Sequence, residues 1–205
     1  MRVSRILLTG FEPFGEYCEN SSWAVAVKVS ALDVEGLVVE KMPVSFNRVA
    51  TSLREAVNNH KPDVIIMLGQ SALTDSVKLE RVAINLMDSN NVDNDGYQPN
   101  EEPIYEGENN ALFTTLPIKQ LRTAVEQLGT PVKLSSSAGL YVCNRLYYEA
   151  LRLCRGTSMR ALFIHLPLYD GQQHSPVGSK QTLPLENMTN AIYTIIKTLI
   201  GTSML

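Results

Sequence analysis

Short apolar runs, each closed by glycine, proline or a polar turn, alternate along the chain with segments whose apolar residues recur at helical spacing. This alternation limits the fold more than any other feature of the sequence. Val3–Leu8, Leu37–Met42, Val64–Leu68, Val132–Leu134 and Ala161–Leu166 have strand length. A helix capped by Ser21 or Ser22 is predicted to run to about Leu32. Phe46, Val49, Ala50, Leu53 and Val57 mark a second helix. Pro117 suits the first turn of a third, whose face carries Ile118, Leu121, Val125 and Leu128, with Gly129 just beyond. Leu146, Tyr147, Ala150, Leu151 and Cys154 mark a fourth. Met188, Ile192, Ile195, Ile196 and Leu199 mark the last, with Gly201 as its C-cap. Such alternation predicts a three-layer α/β/α sandwich with a mostly parallel central sheet. The 205 residues fit one domain, 1–205, carrying an extended insertion at about 70–116.

Inside that insertion Val77, Leu79, Arg81 and Ala83 alternate with Lys78, Glu80, Val82 and Ile84, which predicts extended chain. Asp88–Gly96, D-S-N-N-V-D-N-D-G, is turn-rich but lacks the spacing of an EF-hand loop, so no calcium site is expected. A connection this long points to a functional loop or an interface arm. Tyr169–Thr182 is polar and reads as a loop or flap.

The 18 Lys and Arg against 21 Asp and Glu give a net charge of −3 with no basic patch, which argues against a nucleic-acid binder. Three cysteines, Cys18, Cys143 and Cys154, are too few and too widely spaced for a disulfide framework and fit a reducing compartment. Met1–Leu8 is strand-like rather than a signal peptide, and no apolar run approaches the roughly 20 residues that span a bilayer. A soluble, cytoplasmic protein is therefore expected. Scattered His and Cys show no metal-ligand spacing, and glycine-rich phosphate loops are absent, so neither metal nor cofactor is expected.

Open α/β sheets hold their ligands at the carboxyl ends of the strands. That rule gathers the loop Gly10–Gly15 with Phe11 and Phe14, then Gly69 and Gln70, the small-residue turn Ser135–Gly139 with Cys143, and His165. Cys143 falls near the first turn of a helix, where unpaired N–H groups and the helix dipole favour a thiolate. A small buried hydrophobe is the alternative. A free thiol is only about 3% thiolate at pH 7, and an adjacent imidazolium raises that fraction. His165 sits inside an apolar strand, so its ring must find a hydrogen-bond partner. A base beside a thiol is what nucleophilic catalysis needs, and the same ring can pass its proton to a leaving amine. Glu80 is a candidate to orient the ring, or else a solvated strand-edge carboxylate paired with Arg81 or Lys78. Phe11 and Phe14 either plug the core or wall a pocket. His60 reads as a solvated helix end, and His174 lies in the polar loop.

Six segments together resemble the pyroglutamyl-peptidase I family of cysteine peptidases. They are T-G-F-E-P-F-G (Thr9–Gly15) followed by N-S-S-W (Asn20–Trp23), G-Q (Gly69, Gln70), L-E-R-V-A-I-N (Leu79–Asn85), D-N-D-G-Y-Q-P (Asp93–Pro99), S-A-G-L-Y-V-C-N (Ser137–Asn144) and F-I-H-L-P (Phe163–Pro167). The resemblance spans nearly the whole chain in order. It implies removal of an N-terminal pyroglutamyl residue from peptides, a phosphorylase/hydrolase-like fold, no cofactor and a cytoplasmic homotetramer. It further implies Cys143 as nucleophile, His165 as general base and acid, and Glu80 as the group orienting the imidazole. Phe11 and Phe14 would line the lactam pocket, with Gln70 and Val142 beside it. One departure stands out. Where the family commonly reads D-A-R-I-P-D-N, this chain has Asp88, Ser89, Asn90, Asn91, Val92, Asp93 and Asn94. Asn90 replaces an arginine held to support the oxyanion or substrate, and losing one such donor can cost about 10²–10³ in rate. The alternative implied is a weakly active or non-catalytic lactam-binding homologue.

Overall fold

The computed structural model describes residues 4–172 and 182–202. Along the chain run β1 (Ile6–Phe11), α1 (Ser21–Ser30), β2 (Leu37–Met42), α2 (Val49–His60), β3 (Val64–Gln70), β4 (Val77–Glu80), β5 (Val82–Ile84), β6 (Ala111–Phe113), α3 (Ile118–Glu126), β7 (Val132–Ser135), α4 (Val142–Cys154), β8 (Arg160–Leu166), β9 (Leu168–Tyr169), β10 (Thr182–Leu183) and α5 (Leu185–Thr202). The main sheet has the order β2-β1-β3-β8-β4-β7. Every neighbouring pair is parallel except β8 and β4, where the direction reverses, so the expected mostly parallel sheet is present.

Alternation along the buried strands assigns each residue to a face. Ile6 and Leu8, Val64, Ile66 and Leu68, Val77 and Leu79, and Leu162 and Ile164 point toward α1, α3 and α5. Leu7 and Phe11, Ile65 and Met67, and Ala161 and Phe163 point toward α2 and α4. Two apolar layers therefore cover one sheet, the three-layer arrangement expected. Ile65, Ile66 and Leu68 are all 0% exposed, and each such burial contributes about 1.5–3 kcal/mol. By the same period of two, Gly69, His165, Lys78 and Glu80 belong to the α2/α4 face, the face on which Cys143 lies.

Several local expectations are corrected. β1 continues through Thr9 and Gly10 to Phe11, so Phe11 is a strand residue and not part of a loop. Asn20, not Ser21 or Ser22, caps α1; its side chain accepts from the Ser22 N–H, while the Ser22 hydroxyl accepts from the Phe11 N–H at 2.9 Å. This stitch demands close approach of α1 to β1, and a Cβ on Gly10 would stand 2.7 Å from the Ser22 carbonyl oxygen. Gly201 lies within α5 and does not cap it. His60 is half-buried, donating to Glu40 at 2.8 Å. Most of the polar 169–182 segment, His174 included, lies outside the described residues; its ends pair as β9 and β10. The insertion resolves into β4, which joins the main sheet, and a β5–β6 ribbon against α4. Among the described residues no helix is long and apolar enough to cross a membrane.

Candidate active site

The site begins with the reversal at β4. Lys78 stands opposite His165 and Leu79 opposite Ile164. Glu80 is then the diagonal neighbour of His165 on the same face, a separation that long side chains bridge. The His165 Nδ1–H donates to Glu80 Oε1 at 2.9 Å, and the Glu80 side chain is 1% exposed. Glu80 is thus not the solvated edge carboxylate that was the alternative. The second imidazole nitrogen is left for Cys143, whose side chain borders the same cavity as the ring. Burial alone would lower the pKa of His165; the hydrogen bonds and charges of Cys143 and Glu80 outweigh it and raise the imidazole to about 9.

Cys143 is the second residue of α4. β7 runs against β8, so Cys143 does not follow a strand that ends at the cleft, as the parallel-sheet rule had suggested. The chain from Ser137 to Val142 carries it there instead. The N-cap, Tyr141, makes no side-chain cap bond. The Asn144 and Arg145 N–H groups both reach the Tyr141 carbonyl, which leaves those of Val142 and Cys143 without an acceptor among the described residues. Asn144 anchors this helix: its amide bonds the Ile84 N–H and C=O at 3.0 and 2.8 Å and the Leu86 C=O at 2.9 Å. Gly69 lets the helix come close, since a Cβ there would stand 3.1 Å from the Cys143 sulfur.

These groups border a cavity of about 710 Å³. Phe11 and Phe14 form part of its wall with Val142 and Tyr141. Phe11 is also 2% exposed and packs on Phe163, so it serves the core and the cavity together. The Tyr141 phenol, pushed up to about 12 by burial and by the nearby Asp93 and Cys143, donates to the Val92 carbonyl at 2.9 Å. Gln70 is oriented by two donors on its carbonyl oxygen, the Ser21 N–H and the Gln172 amide, both at 2.8 Å. Its own NH₂ has no partner among the described residues.

Asn90 does not fit its expected place. It is exposed and outside the cavity lining, which takes Ser89, Asn91 and Val92 from that loop. The Ser89 hydroxyl bonds both the N–H and the C=O of Asn91, closing a tight turn with Asn90 inside it. Asp93 was not singled out from the sequence, yet it organises the loop. Its carboxylate accepts from the Asp95 and Tyr97 N–H groups and, across the chain, from Phe46 N–H at 2.8 Å. Asn94 ties the same loop to the Glu12 carboxylate and the Pro13 carbonyl. An Asx residue within a glycine-containing turn was the available signal. Cys18 is exposed, and the half-buried Cys154 thiol is pushed up to about 12 by burial. Among the described residues no cluster of His, Cys, Asp and Glu could hold a metal.

The family model for pyroglutamyl peptidase matches residues 4–201. The chain belongs to the pyroglutamyl peptidase family. It is 39% identical over 198 residues to the pyrrolidone-carboxylate peptidase of Thermococcus onnurineus, covering 95% of this chain and 98% of the relative. To that of Vibrio vulnificus it is 35% identical over 202 residues, covering 98% and 94%. The crystal structure of pyroglutamyl peptidase I from Bacillus amyloliquefaciens superposes with a TM-score of 0.90 at 36% identity, covering 97% of this chain and 96% of that one. The match includes segments as far apart as Thr9–Gly15 and Asp93–Pro99, which Asn94 joins through Glu12 and Pro13.

Proposed function

We propose that this protein is a cysteine peptidase that removes an N-terminal pyroglutamyl residue from peptides, with Cys143, His165 and Glu80 as its catalytic triad. The observation that carries the proposal is a half-buried thiol in the first turn of α4 that borders one cavity with a buried imidazole, whose Nδ1 is held by a buried carboxylate. Cys143 Sγ, as thiolate, attacks the pyroglutamyl carbonyl carbon. The tetrahedral oxyanion lies at the free N–H groups of Val142 and Cys143. The imidazolium of His165 gives its proton to the leaving nitrogen, the C–N bond breaks and a thioester remains. Water then attacks the thioester, with neutral His165 taking its proton, and pyroglutamate leaves as Cys143 is regenerated. Glu80 fixes the ring and its tautomer throughout.

The pocket chemistry suits a lactam. Pyroglutamate is a small neutral ring with one N–H and one ring carbonyl, and Phe11, Phe14 and Val142 offer apolar walls. The unpartnered NH₂ of Gln70 is available to the ring carbonyl. Within the same proposal fall a single catalytic domain and a cytoplasmic homo-oligomer, tetrameric by the family resemblance; sedimentation measures that state directly.

The test is release of a fluorogenic amine from its pyroglutamyl amide by the parent protein and by Cys143→Ala. Hydrolysis by the parent alone, with Cys143→Ala folded and inert, is expected. Hydrolysis by neither would favour the lactam-binding alternative, which rests on Asn90. Equal hydrolysis by both would remove Cys143 from the mechanism.

A further inference from the structure

The cavity is far larger than a five-membered lactam needs, and the lining groups that carry charge in the reaction are Lys78, Glu80, His165 and the Cys143 thiolate. Glu80 and His165 answer one another. Lys78 has no carboxylate partner among the described residues. Resting on the function proposed above, we infer that Lys78 is a specificity residue. It binds a carboxylate on the residue that follows pyroglutamate, either the α-carboxylate of a dipeptide or an acidic side chain.

The sheet order sets the direction of the substrate. Phe11 stands on β1, Gln70 on β3, His165 on β8 and Lys78 on β4, and these strands are consecutive in the sheet. A lactam against the aromatic wall therefore places the scissile bond at Cys143, the leaving nitrogen toward His165, and whatever follows toward β4. Lys78 is directly opposite His165, which puts the two Cα atoms about 4.5–5.5 Å apart with side chains on one face. β4 enters the sheet at the cleft and runs inward, so Glu80 is buried while Lys78, two residues earlier, is half-exposed. The lysine stem is longer than an imidazole and carries its ammonium beyond the ring toward water. A residue spans about 3.3–3.6 Å, so a carboxylate one residue past the leaving nitrogen falls within that reach. Leu73, 93% exposed, borders the same mouth and offers an apolar surface beside the cation.

The experiment compares kcat/KM within two matched pairs of substrates. Pyroglutamyl-alanine against its amide tests the α-carboxylate. Pyroglutamyl-glutamic acid amide against pyroglutamyl-glutamine amide tests the side chain. The parent is expected to favour the carboxylate member of at least one pair by about tenfold, typical of a charge-assisted contact, with the preference shrinking as salt is raised. Lys78→Met is expected to bring that ratio close to one and Lys78→Arg to retain most of it, an effect a merely structural role would not produce. A ratio near one for both pairs in the parent overturns the inference while leaving the peptidase intact. So does a preference that Lys78→Met leaves unchanged. Failure to cleave any of the four substrates overturns instead the activity on which the inference rests. Because the parent ratio and its salt dependence are informative alone, the test survives a variant that does not fold.

Discussion

Replacing Gly69 by alanine probes how tightly the site is built. The added Cβ would meet Phe163 Cζ at 2.6 Å and Cε1 at 2.8 Å, and the Cys143 sulfur at 3.1 Å. Ordinary carbon contacts begin near ~3.5 Å, so the ring must retreat by about 0.9 Å. It has little room, because Phe163 is 0% exposed and its centroid lies 4.8 Å from His165, 5.8 Å from Tyr147 and 6.4 Å from Phe11. Motion of the ring therefore pushes either on the base or on the lactam wall. Overpacking of this kind costs about 1–3 kcal/mol, which for a chain of this length lowers Tm by roughly 2–12 °C. Displacing reacting groups by about an ångström costs on the order of 100-fold in rate. The assays are thermal unfolding followed by circular dichroism and kcat/KM on a pyroglutamyl amide. Gly201→Ala is the control: its Cβ would meet nothing within 4 Å, and it lies in a helix, so Tm should hold or rise slightly. A Gly69→Ala protein with parental Tm and kcat/KM within about threefold would refute the claim that Phe163 couples packing to catalysis.

Two further outcomes follow from the electrostatics. His165 is raised from an ordinary 6.5 to about 9, so the stabilisation its charged form supplies is complete below about pH 6.5 and is lost as pH rises through about 9. The kcat/KM profile should fall on the alkaline side near that value, as the proton for the leaving amine is lost, and Glu80→Gln should move the fall to lower pH. Glu149, whose side chain is 0% exposed, faces Arg54 at 3.0 Å, Arg152 at 3.2 Å and Arg145 at 3.7 Å. Burial would raise its pKa, but Arg152, Tyr105 and Arg54 hold it below the usual range, so this stabilisation is lost as pH falls. Glu149→Gln removes the charge the arginines share, and since Arg54 and Arg152 stay partly in water it should cost about 1–3 kcal/mol in urea unfolding.

The sequence alone sufficed for the layers. Leu37–Met42 is both the expected strand and the observed β2, a half-buried edge strand whose ends Gly36 and Pro43 mark plainly. Cys143 and His165 could be placed near one another from the sheet rule, although the orientation of β7 was wrong. Glu80 could not be placed that way, since a run of V-K-L-E reads equally well as a surface edge. Only insertion of β4 between β8 and β7 buries it, and strand neighbours so separated in the chain leave no local trace. Asn90 failed for the opposite reason: its alignment with a family arginine said nothing of the Ser89 turn that leaves it outside the lining. Asn20 beside two serines illustrates a competition among caps of similar strength, decided by the Ser22 hydroxyl being needed at Phe11.

β4 also carries a safeguard. Its four residues alternate between the α1/α3/α5 core, which takes Val77 and Leu79, and the cleft, which takes Lys78 and Glu80. A slip of one residue would drive both charges into hydrocarbon and turn two aliphatic side chains toward the catalytic base. Such a misthreaded form would lose its fold and its chemistry in one event. Intact but inactive molecules would then not accumulate by strand misalignment.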